Sequence, residues 1–128
     1  MTAPRILVVE DNERNLKLVR DVLQYAGYDI IEARTGEHGV ELARARRPDL
    51  VLMDLQLPGI DGRQALRQLR DDQRTSHIPV VALTASVMTD DRNRVLQAGF
   101  DGYLEKPISV RDLPGRVRAF LTGTDTSR

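Results

Sequence analysis

The sequence predicts an α/β domain in which five strand–helix units form one doubly wound parallel sheet. Two observations carry this reading. Short apolar runs alternate with longer stretches of helical spacing, one unit every roughly 20–25 residues, a rhythm that requires helical crossovers between parallel strands. The first, third and fourth runs are continuously apolar instead of alternating, as strands are when helices cover both faces of their sheet.

The runs are Ile6-Leu7-Val8-Val9, Ile30-Ile31, Leu50-Val51-Leu52-Met53, Val80-Val81-Ala82-Leu83 and a weaker Tyr103-Leu104. In the first helix Leu16, Val19, Val22, Leu23 and Ala26 recur at intervals of three and four, which places them on one buried face. Val40 and Ala43 mark a second helix over about Glu37 to Arg46, Leu66 and Leu69 a third, and Val95 and Ala98 a fourth. Leu113, Val117, Phe120 and Leu121 mark a fifth. Gly27, Gly36, Pro48, Pro58-Gly59, Gly62, Pro79, Gly99, Gly102 and Pro107 fall between these segments, and Asn12, Thr35 and Ser109 are suited to cap helices. Pro114 interrupts the fifth pattern, which predicts a late start near Leu113 with the proline in the first turn.

At 128 residues the chain is one domain, expected over residues 1–121, with 122–128 as a short polar tail. The absence of cysteine excludes disulfide frameworks, thiolate metal sites and cysteine nucleophiles. Nineteen basic residues balance nineteen acidic ones, so no broad positive field invites DNA, and direct DNA binding is not expected. No apolar run approaches the ~20 residues that span a bilayer, and the first strand runs at once into Glu10-Asp11, unlike a signal peptide. A cytoplasmic location without membrane attachment is the expectation.

In open parallel sheets, ligands bind beyond the carboxyl ends of the strands, where strand order reverses. Glu10-Asp11 follow the first strand, Asp54 ends the third, Thr84 the fourth, and Lys106 follows the fifth. If the order is 2-1-3-4-5, the first and third strands are neighbours, and their three carboxylates converge with Thr84 and Lys106 beside them. Carboxylates so close are hard to ionise together unless a cation neutralises them. All-oxygen ligands suit a hard ion, and a small ligand set suits Mg²⁺, with Mn²⁺ as an alternative. Such an ion, a lysine and a hydroxyl around one carboxylate make a clamp for a phosphoryl group, with Asp54 on the central strand as the nucleophile. The chain has seventeen arginines and two lysines, so a lysine at 106 points to a need for a compact charge. Arg44, Arg46 and Arg47 read as the solvated end of the second helix, and His38 and His77 as structural.

Four segments in order resemble the receiver domain of two-component response regulators: Val8-Val9-Glu10-Asp11-Asn12, Asp49 through Gly62 with Met53-Asp54 and Pro58-Gly59, Pro79 through Ala85, and Gly99 through Pro107. The resemblance spans Arg5 to Leu121 and is strongest to stand-alone members of the family. It implies the flavodoxin-like, CheY-like (βα)5 fold with order 2-1-3-4-5. It implies Asp54 as phosphoacceptor, Asp11 as a direct Mg²⁺ ligand, Glu10 as an outer or water-mediated one, and the Gln56 backbone carbonyl as a further ligand. Thr84 becomes the switch hydroxyl, Tyr103 the switch aromatic, and Lys106 the phosphate-binding lysine before a cis Pro107. The side chains of Gln56 and Ser86 flank the path of attacking water and tune phosphoryl lifetime. A histidine kinase or histidine phosphotransferase would dock through the first helix and the loop after the fifth strand, with Asn15, Leu16 and Ile108 as contacts. A downstream protein would read the surface of the fourth helix, fifth strand and fifth helix. Of the rival chemistries, an aspartyl-phosphate hydrolase needs a second acid where Gln56 stands, and a flavin carrier would meet repulsion between its phosphate and Glu10-Asp11. A pseudo-receiver would lack the complete set of groups present here.

Overall fold

The computed structural model describes residues 3–85 and 89–123, side chains of 89–91 excepted. Ten elements alternate along it: β1 (Arg5–Val9), α1 (Glu13–Tyr25), β2 (Asp29–Ala33), α2 (Gly36–Arg46), β3 (Leu50–Asp54), α3 (Gly62–Arg70), β4 (Val80–Thr84), α4 (Thr89–Gln97), β5 (Gly102–Glu105) and α5 (Leu113–Thr122). All neighbouring strands are parallel, in the order β2-β1-β3-β4-β5. The chain first moves outward from β1 to β2, then reverses and travels through β3 to β5. With one handedness for every crossover, helices made in opposite directions of travel lie on opposite faces.

The two cores follow that division. Leu7, Val9, Val51, Met53, Val80 and Ala82 pack under α2, α3 and α4 with Val40, Leu66 and Val95. Ile6, Val8, Leu50, Leu52, Val81 and Leu83 pack under α1 and α5 with Leu23, Val117 and Phe120. Successive strand residues feed alternate cores, so β3 and β4 are buried at every position. This is why their sequences read as unbroken apolar runs.

Helix starts show where local chemistry decides. Asn12 and Thr35 accept hydrogen bonds from Asn15 N and His38 N, as expected of caps. Asp61 and Gln64 form a reciprocal capping box at α3. Ser109 departs from expectation: its hydroxyl accepts from Asp112 N (3.3 Å) in the preceding turn, and Asp112 occupies the cap of α5 without a side-chain bond. Pro114 sits in the first turn of α5, where its missing N–H leaves no helical bond unmade. That helix reaches Thr122, one residue into the segment read as tail, and residues 124–128 lie outside the described part. Arg44 is not simply solvated; its Nε lies 3.0 Å from Asp72 Oδ2, tying α2 to the segment after α3.

Candidate functional site

The strand order places β1 beside β3 and β4 on the other side of β3, so the groups that follow these strands meet at one end of the sheet. Glu10 extends the β1 ladder by donating its N–H to Ala33 O (3.0 Å), which turns its side chain inward to complete burial. Asp54 ends the central strand and is 4% exposed. Lys106 reaches over from the far side of the sheet. Its Nζ donates to Asp54 Oδ2 at 2.8 Å and lies 2.6 Å from Glu10 Oε1. The other oxygen of each carboxylate takes a backbone N–H: Asn12 N donates to Glu10 Oε2 (3.2 Å), and Gln56 N to Asp54 Oδ1 (2.9 Å). Thr84 ends β4 nearly buried, and its carbonyl accepts from Lys106 N at 2.7 Å. The Lys106–Pro107 peptide bond is cis.

One glycine sets how closely α3 approaches this cluster. A Cβ at Gly62 would collide with the carbonyl oxygen of Asp54 and with Leu55 Cα, both of them backbone atoms. The first turn of α3 therefore rests directly on the end of β3.

Electrostatically the site carries too few cations. Burial, and then the shared interaction with Asp54, push the Glu10 carboxyl up to about 7, against the opposing pull of Lys106 and the Asn12 amide. Burial works against the Lys106 ammonium too, but its hydrogen bond to Asp54 and its ion pair with Glu10 outweigh it and hold that group above its ordinary value. Carboxylate oxygens of Glu10, Asp11 and Asp54 all lie within 4.8 Å of one another, with Asp11 exposed to solvent. Glu10 Oε1, although near Lys106 Nζ, is a buried oxygen outside hydrogen-bond geometry. A buried carboxylate oxygen that shares one ammonium with a second carboxylate, in an all-oxygen cluster of excess negative charge, fits a hard divalent cation.

Beside the carboxylates lies a cavity of about 210 Å³. Its lining includes Asp54 and Gln56 at and after the end of β3, Arg63 of α3, Thr84 and Ala85 at and after the end of β4, Val95 of α4, and Lys106. Arg63 had not been marked by the strand-end rule, because it enters from the second position of a helix. Tyr103 lies further out on β5, half-buried, with the Arg92 guanidinium 6.0 Å from its ring centroid. Ser86 lies outside the described residues. Of the three expected docking residues, Asn15 and Ile108 are half-buried at the surface, but Leu16 is 2% exposed and belongs to the core under α1. It occupies the inward face with Val19 and Leu23, so it is withdrawn as a contact.

A doubly wound sheet with an acidic cluster, a lysine and a hydroxyl at its reversal point defines a phosphoryl-receiving signalling module, and comparison with known proteins gives the family. The chain belongs to the response regulator receiver domain family, which it matches over residues 6–118. It is 44% identical to the polar-differentiation response regulator DivK of Brucella anthropi over 91% of this chain and 94% of that protein. The DivK of Brucella ovis is 43% identical over the same shares. Among solved structures, the receiver domain of a Pseudomonas aeruginosa sensor histidine kinase, with a magnesium ion coordinated in its active-site cleft, superposes with a TM-score of 0.86. That match has 34% identity and covers 94% of this chain and 99% of the other. The chemotaxis response regulator CheY4 of Vibrio cholerae shares the fold, with a TM-score of 0.88 at 24% identity over 93% of this chain and 99% of its own. The chain is thus a receiver of phosphorelay signalling, a class that works with histidine kinases and downstream targets and binds Mg²⁺ at its acidic pocket. No described helix is long and apolar enough to cross a membrane.

Proposed function

We propose that Asp54 accepts a phosphoryl group from the phosphohistidine of a histidine kinase or histidine phosphotransferase, and that the aspartyl phosphate resets a protein-binding surface. The observation that carries this is the posture of Asp54, held at the end of the central strand between Lys106 Nζ and the Gln56 amide. A carboxylate oxygen of Asp54 attacks phosphorus in line; the new P–O bond forms as the P–N bond breaks, and its electron pair stays with the imidazole nitrogen. Lys106 neutralises charge on the transferred oxygens, and the Gln56 amide keeps the carboxylate oriented. Glu10, Asp11, Asp54 and the Gln56 carbonyl would hold Mg²⁺, or Mn²⁺ in its place, and the ion supplies further neutralisation of the phosphoryl charge.

The phosphoryl group then recruits the Thr84 hydroxyl, drawing the end of β4 inward, and Tyr103 turns into the space released. The face of α4, β5 and α5 changes, and a downstream protein reads it. The exposed Gln56 side chain and Ser86 set how water reaches the acyl phosphate. Asn15 and Ile108 serve the donor; Ile108 lines a cavity of about 150 Å³ with Pro107, Ser109 and Leu113 immediately after Lys106. In this reading the protein acts in the cytoplasm and contacts neither DNA nor membrane.

The test is intact mass after incubation with acetyl phosphate, with and without Mg²⁺, on wild type and Asp54→Ala. One Mg²⁺-dependent phosphoryl adduct, absent from the variant, is expected. Steady release of phosphate without an adduct would replace this reading with a hydrolase.

A further inference from the structure

Arg63 is the second cation at the acceptor cavity, and the strand-end chemistry does not account for it. It lines that cavity together with Asp54, Gln56 and Lys106. Its backbone is fixed there, since the neighbouring Gly62 is pressed against the Asp54 carbonyl. Six other arginines, Arg5, Arg20, Arg34, Arg44, Arg70 and Arg74, each lie within 3.5 Å of a carboxylate oxygen. Arg63 has no such partner among the described residues, and it is exposed to solvent.

Charge supplies the reason for a second cation. A phosphoryl group on Asp54 brings close to two negative charges, and Glu10 and Asp11 add two more. A divalent ion and Lys106 together balance three. One negative charge is left over, and Arg63 lines the same cavity, where a planar guanidinium can hold two phosphoryl oxygens at once.

Resting on the assignment of Asp54 as acceptor, we propose that Arg63 is a phosphoryl-binding residue, a guanidinium that swings onto the phosphoryl oxygens from the α3 wall and shares them with Lys106. It has no role in holding the ligand-free site together.

The probe is beryllofluoride, a phosphoryl mimic that binds an aspartate oxygen, titrated at saturating Mg²⁺ and followed by ¹⁹F NMR and thermal shift. Wild type, Arg63→Ala, Arg63→Lys and Asp54→Asn are compared. Arg63→Ala should bind beryllofluoride about five- to tenfold more weakly, as loss of one exposed charge-assisted contact implies. Arg63→Lys should recover much of the loss, and the gap should narrow in high salt. Mg²⁺ affinity without beryllofluoride and the ligand-free melting temperature should not fall, which a merely structural arginine would not allow. Equal beryllofluoride affinity in wild type and Arg63→Ala, with Asp54→Asn inactive, would overturn the role of Arg63 alone. Folded wild type that binds no beryllofluoride would remove the acceptor assignment and this inference with it.

Discussion

Lys106 shows most directly what single residues contribute here. It is the cation lying between two buried carboxylates, so Lys106→Met leaves Glu10 and Asp54 facing each other with no counter-charge. Such a loss should cost about 3 kcal/mol, measured by urea unfolding at pH 8 with divalent ions chelated. Added Mg²⁺ should restore more stability to the variant than it adds to wild type, because the variant site has the larger charge deficit. The residues of this cluster were legible in the sequence because each closes or follows an apolar run, and a parallel sheet gathers those positions at one end. Leu16 misled for the opposite reason. Family position suggested a surface contact, while its spacing with Val19 and Leu23 already marked it as core, and burial follows the spacing. Arg63 was illegible, being one arginine among seventeen until α3 places it at the cavity.

Among the elements, α3 and its flanks are the most tightly specified. Gly62→Ala puts a methyl group against backbone atoms of β3 that cannot turn aside. It should destabilise by about 2 kcal/mol and slow phosphorylation by acetyl phosphate, since relief requires α3 or the acceptor strand to shift. After α3, Asp72 accepts from Arg74 at 2.7 Å and pairs with Arg44 of α2 at 3.0 Å. Its bonds to the Arg74 side chain and backbone hold its carboxyl well below the usual carboxylate range. A lowered value means the unfolded chain takes up the proton first. The pairing therefore stabilises the fold above about pH 4 and is lost as acidity increases below it. In acid titrations followed by circular dichroism, Asp72→Asn should show a shallower loss of stability below about pH 4 than wild type. Element types followed from periodicity, and Pro114 announced the late start of α5. The Ser109 cap was misplaced because one hydroxyl serves a turn or a helix equally well, and only the backbone path between 109 and 113 decides.

For the whole molecule, the fixed end of the sheet matters as much as the reactive one. Arg70 of α3 donates to the carbonyls of Ser76, Ile78 and Gly99 and to Asp101, whose Oδ2 also accepts from Val80 N at 2.7 Å. The starts of β4 and β5 are thereby pinned to α3, while their far ends carry Thr84 and Lys106, the groups proposed above to respond to the phosphoryl group. Hydrogen exchange with and without beryllofluoride should change in residues 84–85, 89–97 and 104–106 and stay constant at 76–80 and 99–102. Uniform change along both strands would contradict a pinned pivot.

The order of assembly carries a last consequence. Asp54, the proposed acceptor, arrives with the third strand, but the lysine that completes its environment comes after the fifth and is positioned through the carbonyl of Thr84. A nascent chain that has emerged only through β4 holds its carboxylates without that ammonium. With Asp54 as the proposed acceptor, receptiveness to phosphate would report that synthesis and folding have run to the far edge of the sheet.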